Sequence, residues 1–138
     1  MHHNPNLNGR ELLLTPRFPG PHRATGCGII SPDLAKAGGL LEGRRIADLA
    51  DMYYIPFSPH NICGSIGTVA ASHVCAAVPN FQVLEFHHLD NELWSNLTVG
   101  DNLIELGHLS VPTDPGLGVA LDETVAKDAT VEDLEFFE

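Results

Sequence analysis

A chain of 138 residues suffices for one ordinary domain around one core, and 43% hydrophobic with 18% charged residues argues against a disordered tail. Seven Lys plus Arg against eighteen Asp plus Glu give a formal net charge of −11. That surface repels phosphate backbones and anionic lipid, so no nucleic-acid or membrane partner is expected. No apolar run approaches the roughly 18–20 residues needed to span a bilayer, and no signal-peptide pattern opens the chain, so a cytoplasmic location is expected. Cys27, Cys63 and Cys75 form no C-x-x-C pair and are expected to be reduced, buried thiols; the sequon Asn96-Leu97-Thr98 then carries no meaning.

Met1 to about Arg10 is polar and expected to be a loose end. Glu11-Leu12-Leu13-Leu14-Thr15 can form a strand, whereas three prolines between Pro16 and Pro21 forbid a normal helix after it. Cys27-Gly28-Ile29-Ile30 is short, apolar and β-capable, and it ends at Ser31-Pro32-Asp33. Gly38-Gly39 opens a helical stretch to about Tyr54, with Ile46, Leu49, Ala50 and Tyr53 on one face. A second unit starts with the strand Tyr54-Ile55-Pro56-Phe57-Ser58, which stops at Pro59-His60. Its helix runs from Ser65 to Ala77, with Ile66, Val69, Ala70, Val74 and Ala77 at helical spacing. Pro79-Asn80 breaks that helix before a third strand, Phe81 to Glu85.

A mixed segment follows from His87 to Asp101. Leu103 to Leu106 and His108 to Val111 then form a hairpin turning at Gly107. Thr113 to Gly118 is a loop, Asp122 caps a short final helix, and Val131 to Glu138 is an acidic end. The expected division is a loose N-terminus at 1–10, a partial barrel domain at 11–121, and a C-terminal helix with acidic tail at 122–138.

Strand alternating with helix implies parallel strands and right-handed crossovers, an α/β class. Asp33, His60 and Glu85 close three successive strands, spaced 27 and then 25 residues apart. An eight-fold barrel spends roughly 30 residues per unit, and a doubly wound open sheet spends a similar number. A titratable side chain at each strand end favours the barrel, whose active sites gather at that rim.

Four ordered motifs resemble the mandelate racemase/muconate lactonizing group of the enolase superfamily. They are Pro32-Asp33-Leu34-Ala35-Lys36-Ala37-Gly38-Gly39, Ser58-Pro59-His60-Asn61, Val78-Pro79-Asn80-Phe81 with Leu84-Glu85, and Pro115-Gly116-Leu117-Gly118-Val119. Within that group the chain is most similar to acid-sugar dehydratases of the galactonate type. The resemblance implies the last three or four βα units of a (β/α)7β TIM-like barrel, without the capping domain, the Lys-bearing strand and the first two metal-ligand strands. It also implies Mg²⁺ as cofactor, with Glu11 as a third ligand, although Arg10 and the proline-rich stretch depart from the family pattern there.

The chemistry implied is removal of the proton next to a carboxylate, giving an enediolate that a metal stabilises. His60 would be the base, in a dyad with Asp33, and could go on to protonate a departing hydroxyl. Glu85 would hydrogen-bond the substrate carboxylate or enediolate oxygen, while Lys36, His87 and Trp94 would lie near the substrate. That substrate would be a small hydroxylated carboxylic acid, and the parent enzyme a homo-oligomer. Each residue also has a plainer reading: Asp33 as a turn former, His60 as a structural histidine, Glu85 as a solvated strand end, Lys36 as a surface lysine. A zinc site at Glu85-x-His87-His88 is disfavoured, because adjacent residues on an extended chain face opposite ways. Two other functional classes remain: a barrel remnant without turnover, and a small α/β metal-binding or interaction domain.

Overall fold

A computed structural model describes residues 28–87, 92–100, 103–105 and 107–131. The expected strand at Glu11, the loose N-terminus, Cys27, the pair His88 and Asp90, and the acidic end beyond residue 131 lie outside the described residues.

Three segments lie side by side, running parallel. Residues 55–60 occupy the middle, with Ile30 bridging Phe57 on one side and Phe57 bridging Phe81 on the other. The amide of Ile30 donates to the Pro56 carbonyl at 3.0 Å and that of Phe57 to Asn80 at 2.8 Å. These are isolated bridges rather than the continuous strands expected. Pro32, Pro56 and Pro59 each lack an N–H and serve only as acceptors, from His60, Ile30 and Glu85 respectively.

Helix α1, Leu40–Asp51, follows the first segment. Gly38 and Gly39 hold φ of 107° and 87°, a region open to glycine, and this lets the chain reverse from the strand end into the helix. Ile46, Ala47 and Ala50 are fully buried, and Leu49 and Tyr53 pack against the core, as the periodicity implied. Tyr54 is not the start of the next strand. It has φ 57° and is 95% exposed, a left-handed residue that ends the helical turn while the Ile55 amide returns to Ala50 at 3.1 Å.

Helix α2, Ser65–Ala77, has the expected limits but a rotated inner face. Thr68, Val69, Ala71, Ser72, Val74 and Cys75 are buried, whereas Ala77 is exposed. The small side chains let α2 lie close, and its buried hydroxyls find local acceptors: Thr68 on Cys63 at 3.2 Å and Ser72 on Val69 at 2.7 Å. Ile30, Phe57, Ile46, Ala71 and Val74 form the core between the three segments and the two helices. The side-chain amide of Asn80 ties the third segment to α1 and to the start of the middle segment, donating to Ala47 at 3.0 Å and Ile55 at 2.9 Å.

The mixed segment holds more structure than expected. Helix α3, Glu92–Asn96, leads into β1, Thr98–Val99, which pairs antiparallel with β4, Ala120–Leu121. Between them, β2, Ile104–Glu105, pairs with β3, His108–Leu109, around Gly107 at φ 81°. Helix α4, Glu123–Asp128, is capped as expected: the Asp122 carboxylate accepts from the amides of Thr124 and Val125, both at 3.0 Å. Three adjacent parallel segments with their crossover helices, a hairpin and a final short helix make an α/β fragment that is part of a barrel. No helix among the described residues is long and apolar enough to cross a membrane.

Candidate active site

The parallel register carries three titratable side chains to one rim. Asp33 bridges His60, whose amide donates to Pro32 at 3.1 Å, and the amide of Glu85 donates to Pro59 at 3.2 Å. The Ser-Pro pairs at 31–32 and 58–59 place Asp33 and His60 at equivalent positions after a residue held extended.

Asp33 is 4% exposed, and protein donors surround its carboxylate. Oδ1 accepts the amides of Ala35 at 3.1 Å and Lys36 at 3.3 Å, while Oδ2 pairs with the Lys36 ammonium at 3.1 Å. Lys36 therefore reaches the rim through Asp33. The His60 ring is bonded elsewhere: Nδ1 meets Glu85 Oε2, and Glu85 Oε1 meets His87 Nε2 at 3.0 Å. Asp33 and His60 are thus joined through the backbone, whereas the carboxylate on the His60 ring belongs to Glu85.

Trp94, on α3, covers the start of α2, its indole nitrogen 3.7 Å from where a Cβ on Gly64 would stand. A Cβ at position 64 would meet that ring in ordinary van der Waals contact. Cys63, noted in the sequence only as a free thiol, proves to be a rim residue. Partial burial raises its pKa, the charge of Asp33 raises it further, and Lys36 lowers it, so the thiol stays protonated. No spacing rule marks Cys63; what places it here is the turn held by Asn61, whose Oδ1 accepts the Cys63 amide at 3.3 Å. Asn61 in turn donates to Thr68 at 2.9 Å. The closing motif docks on α2 through His73 Nε2 and the Leu117 carbonyl, at 3.0 Å.

A cavity of about 430 Å³ lies between α2, the 81–86 segment and the β2–β3 hairpin. Phe81, Val83, Ile104 and Leu109 line it, and none of the rim residues does. It is an apolar recess behind the rim.

Among the described residues, no three His, Cys, Asp or Glu side chains gather closely enough to hold a metal ion. Protein donors already engage Asp33 and Glu85. The described residues therefore do not by themselves fit a Mg²⁺ site, and Glu11 lies outside them.

Sequence and fold comparisons identify the family of the chain. The chain is 51% identical over 94 residues to D-xylonate dehydratase of Haloferax volcanii, covering 68% of this chain and 23% of that protein. It is 31% identical to D-galactonate dehydratase of Ralstonia nicotianae, over 89% of this chain and 34% of that one. A crystal structure of a mandelate racemase/muconate lactonizing enzyme-like protein from Rubrobacter xylanophilus superposes with a TM-score of 0.84 at 41% identity, covering 91% of this chain and 32% of its own. The chain thus spans about a quarter to a third of the relatives it matches. The family model for enolase C-terminal domain-like proteins matches residues 22–125, most of the chain, and this protein belongs to that family.

Proposed function

We propose that this chain forms one side of the active site of an acid-sugar dehydratase, in which His60 removes the proton next to the substrate carboxylate. The observation that carries the reading is the arrangement of Asp33, His60 and Glu85 on three adjoining parallel segments at one rim. Imidazole is the side chain best matched to proton transfer near neutral pH, and His60 keeps one ring nitrogen apart from its bond to Glu85.

Lys36 is the cation at this rim, and an incoming substrate carboxylate competes with Asp33 for its ammonium. Drawing Lys36 away releases Asp33 to take the His60 ring as a dyad, while Glu85 turns its acceptor oxygens to the substrate hydroxyl or enediol. After the proton is taken, the protonated ring can return it to the departing hydroxyl, which completes a dehydration. The Mg²⁺ implied by the family resemblance would stabilise the enediolate, and no step here depends on it. Trp94 and His87 flank the substrate in this reading, which is that of a small hydroxylated carboxylic acid.

The test is exchange of the α-proton of xylonate or galactonate in D₂O, followed by NMR with the whole chain and Mg²⁺. Exchange that His60→Asn abolishes supports the reading. A second reading is a barrel portion without turnover of its own. Absence of exchange in the chain as it stands selects that second reading.

A further inference from the structure

His60 Nδ1, the Glu85 carboxylate and His87 Nε2 form a continuous hydrogen-bonded chain from the rim towards solvent. The His60 side chain is 12% exposed, Glu85 31% and His87 46%. The two rings lie with centroids 6.4 Å apart and planes at 83°, and one carboxylate spans them. Glu85 and His87 are two apart in a segment that is neither helix nor strand, and the hydrogen bond between their side chains sets both on one side. The parallel register then sets Glu85 beside His60.

A carboxylate only accepts, so each imidazole must donate an N–H to it. For neutral rings that fixes both tautomers: His60 carries its proton on Nδ1 and keeps the lone pair on Nε2, and His87 carries its proton on Nε2. Free neutral imidazole side chains favour the opposite tautomer, with the proton on Nε2. In the absence of substrate, the hydrogen bond to Glu85 therefore keeps the lone pair of His60 on Nε2. Among the described residues, the Asp33 carboxylate is committed to Lys36 and two backbone amides.

We propose that His87 is a positioning residue for His60, acting through Glu85: by holding Oε1 it keeps Oε2 on the His60 ring and so keeps the basic lone pair on Nε2. This rests on the proposed role of His60 only for the use made of that lone pair. The tautomer itself exists without substrate. When Asp33 replaces Glu85 in the substrate-bound dyad, it receives a ring already in the required form.

The experiment is two-bond ¹H–¹⁵N correlation NMR of the ring nitrogens in the ¹⁵N-labelled whole chain, at a pH where both imidazoles are neutral. His60 in the parent chain is expected as the Nδ1–H tautomer. His87→Ala is expected to lower the ratio of Nδ1–H to Nε2–H in His60 by at least about threefold, as Glu85 loses its second anchor. His87→Gln, whose amide can still donate to Glu85, is expected to keep the parent ratio. His87 is half exposed, and unchanged circular dichroism and urea midpoints are expected for both variants. An Nε2–H tautomer in the parent overturns the proposal, as does an unchanged ratio in His87→Ala. Absence of α-proton exchange with a native tautomer pattern instead sinks only the role of His60 as base.

Discussion

Asp33 and His60 face each other as parallel bridge partners, yet the carboxylate hydrogen-bonded to the His60 ring is that of Glu85, one segment further on. Both carboxylates reach the same rim because the register is set by backbone acceptors at Pro32 and Pro59. The rim thus carries two carboxylates, one tied to Lys36 and one shared by the His60 and His87 rings.

Replacing the ring removes the group that the proposed reaction uses as both base and acid. His60→Asn is expected to lower α-proton exchange by about 10²–10⁴-fold relative to the parent chain. Exchange rates in D₂O measured alongside the unfolding midpoint separate this from loss of fold.

Phe57 is 0% exposed and sits at the centre of the three segments, bridging both neighbours. Phe57→Ala leaves a cavity where all three meet, at an expected loss of about 3–5 kcal/mol in urea unfolding. A loss below about 1 kcal/mol would show that the segments do not form one core.

Thr68 accepts from the buried amide of Asn61 at 2.9 Å and donates to Cys63 at 3.2 Å. Thr68→Val keeps the shape but strands the Asn61 amide, which is 3% exposed as a residue. The expected loss is about 1–3 kcal/mol in urea unfolding.

Burial pushes the Cys75 thiol from its ordinary 9.0 up to about 12. The folded chain therefore holds that proton more tightly than the unfolded one. The stabilisation is fully present below pH 9 and is lost as pH rises from 9 towards about 12. Site-resolved mass spectrometry after alkylation at pH 8 should find Cys63 modified well before Cys75, since Cys63 is partly exposed and Cys75 buried. Equal rates would show that α2 does not cover Cys75.

Much of this architecture is legible in the order of residues. Local chemistry fixes Ser65–Ala77 as a helix, Gly107 as a hairpin turn, Asp122 as a cap and Gly38-Gly39 as a reversal, because each depends on a few neighbours along the chain. The alternation of strand and helix likewise placed Asp33, His60 and Glu85 at corresponding ends. The buried face of α2 was misjudged because Thr68, Ser72 and Cys75 look no more apolar than their neighbours, and only close packing selects them.

The sequence by itself determined which titratable groups arrive at the rim, since a period of strand plus helix returns the chain to the same end. Tertiary structure alone decided which of those groups bond to one another. Hydrogen bonds between side chains 25 residues apart depend on register and rotamer within a few tenths of an ångström, and no spacing rule carries that information. The same reason hid the packing of Trp94 over Gly64, a contact made by a short helix whose placement follows from tertiary packing.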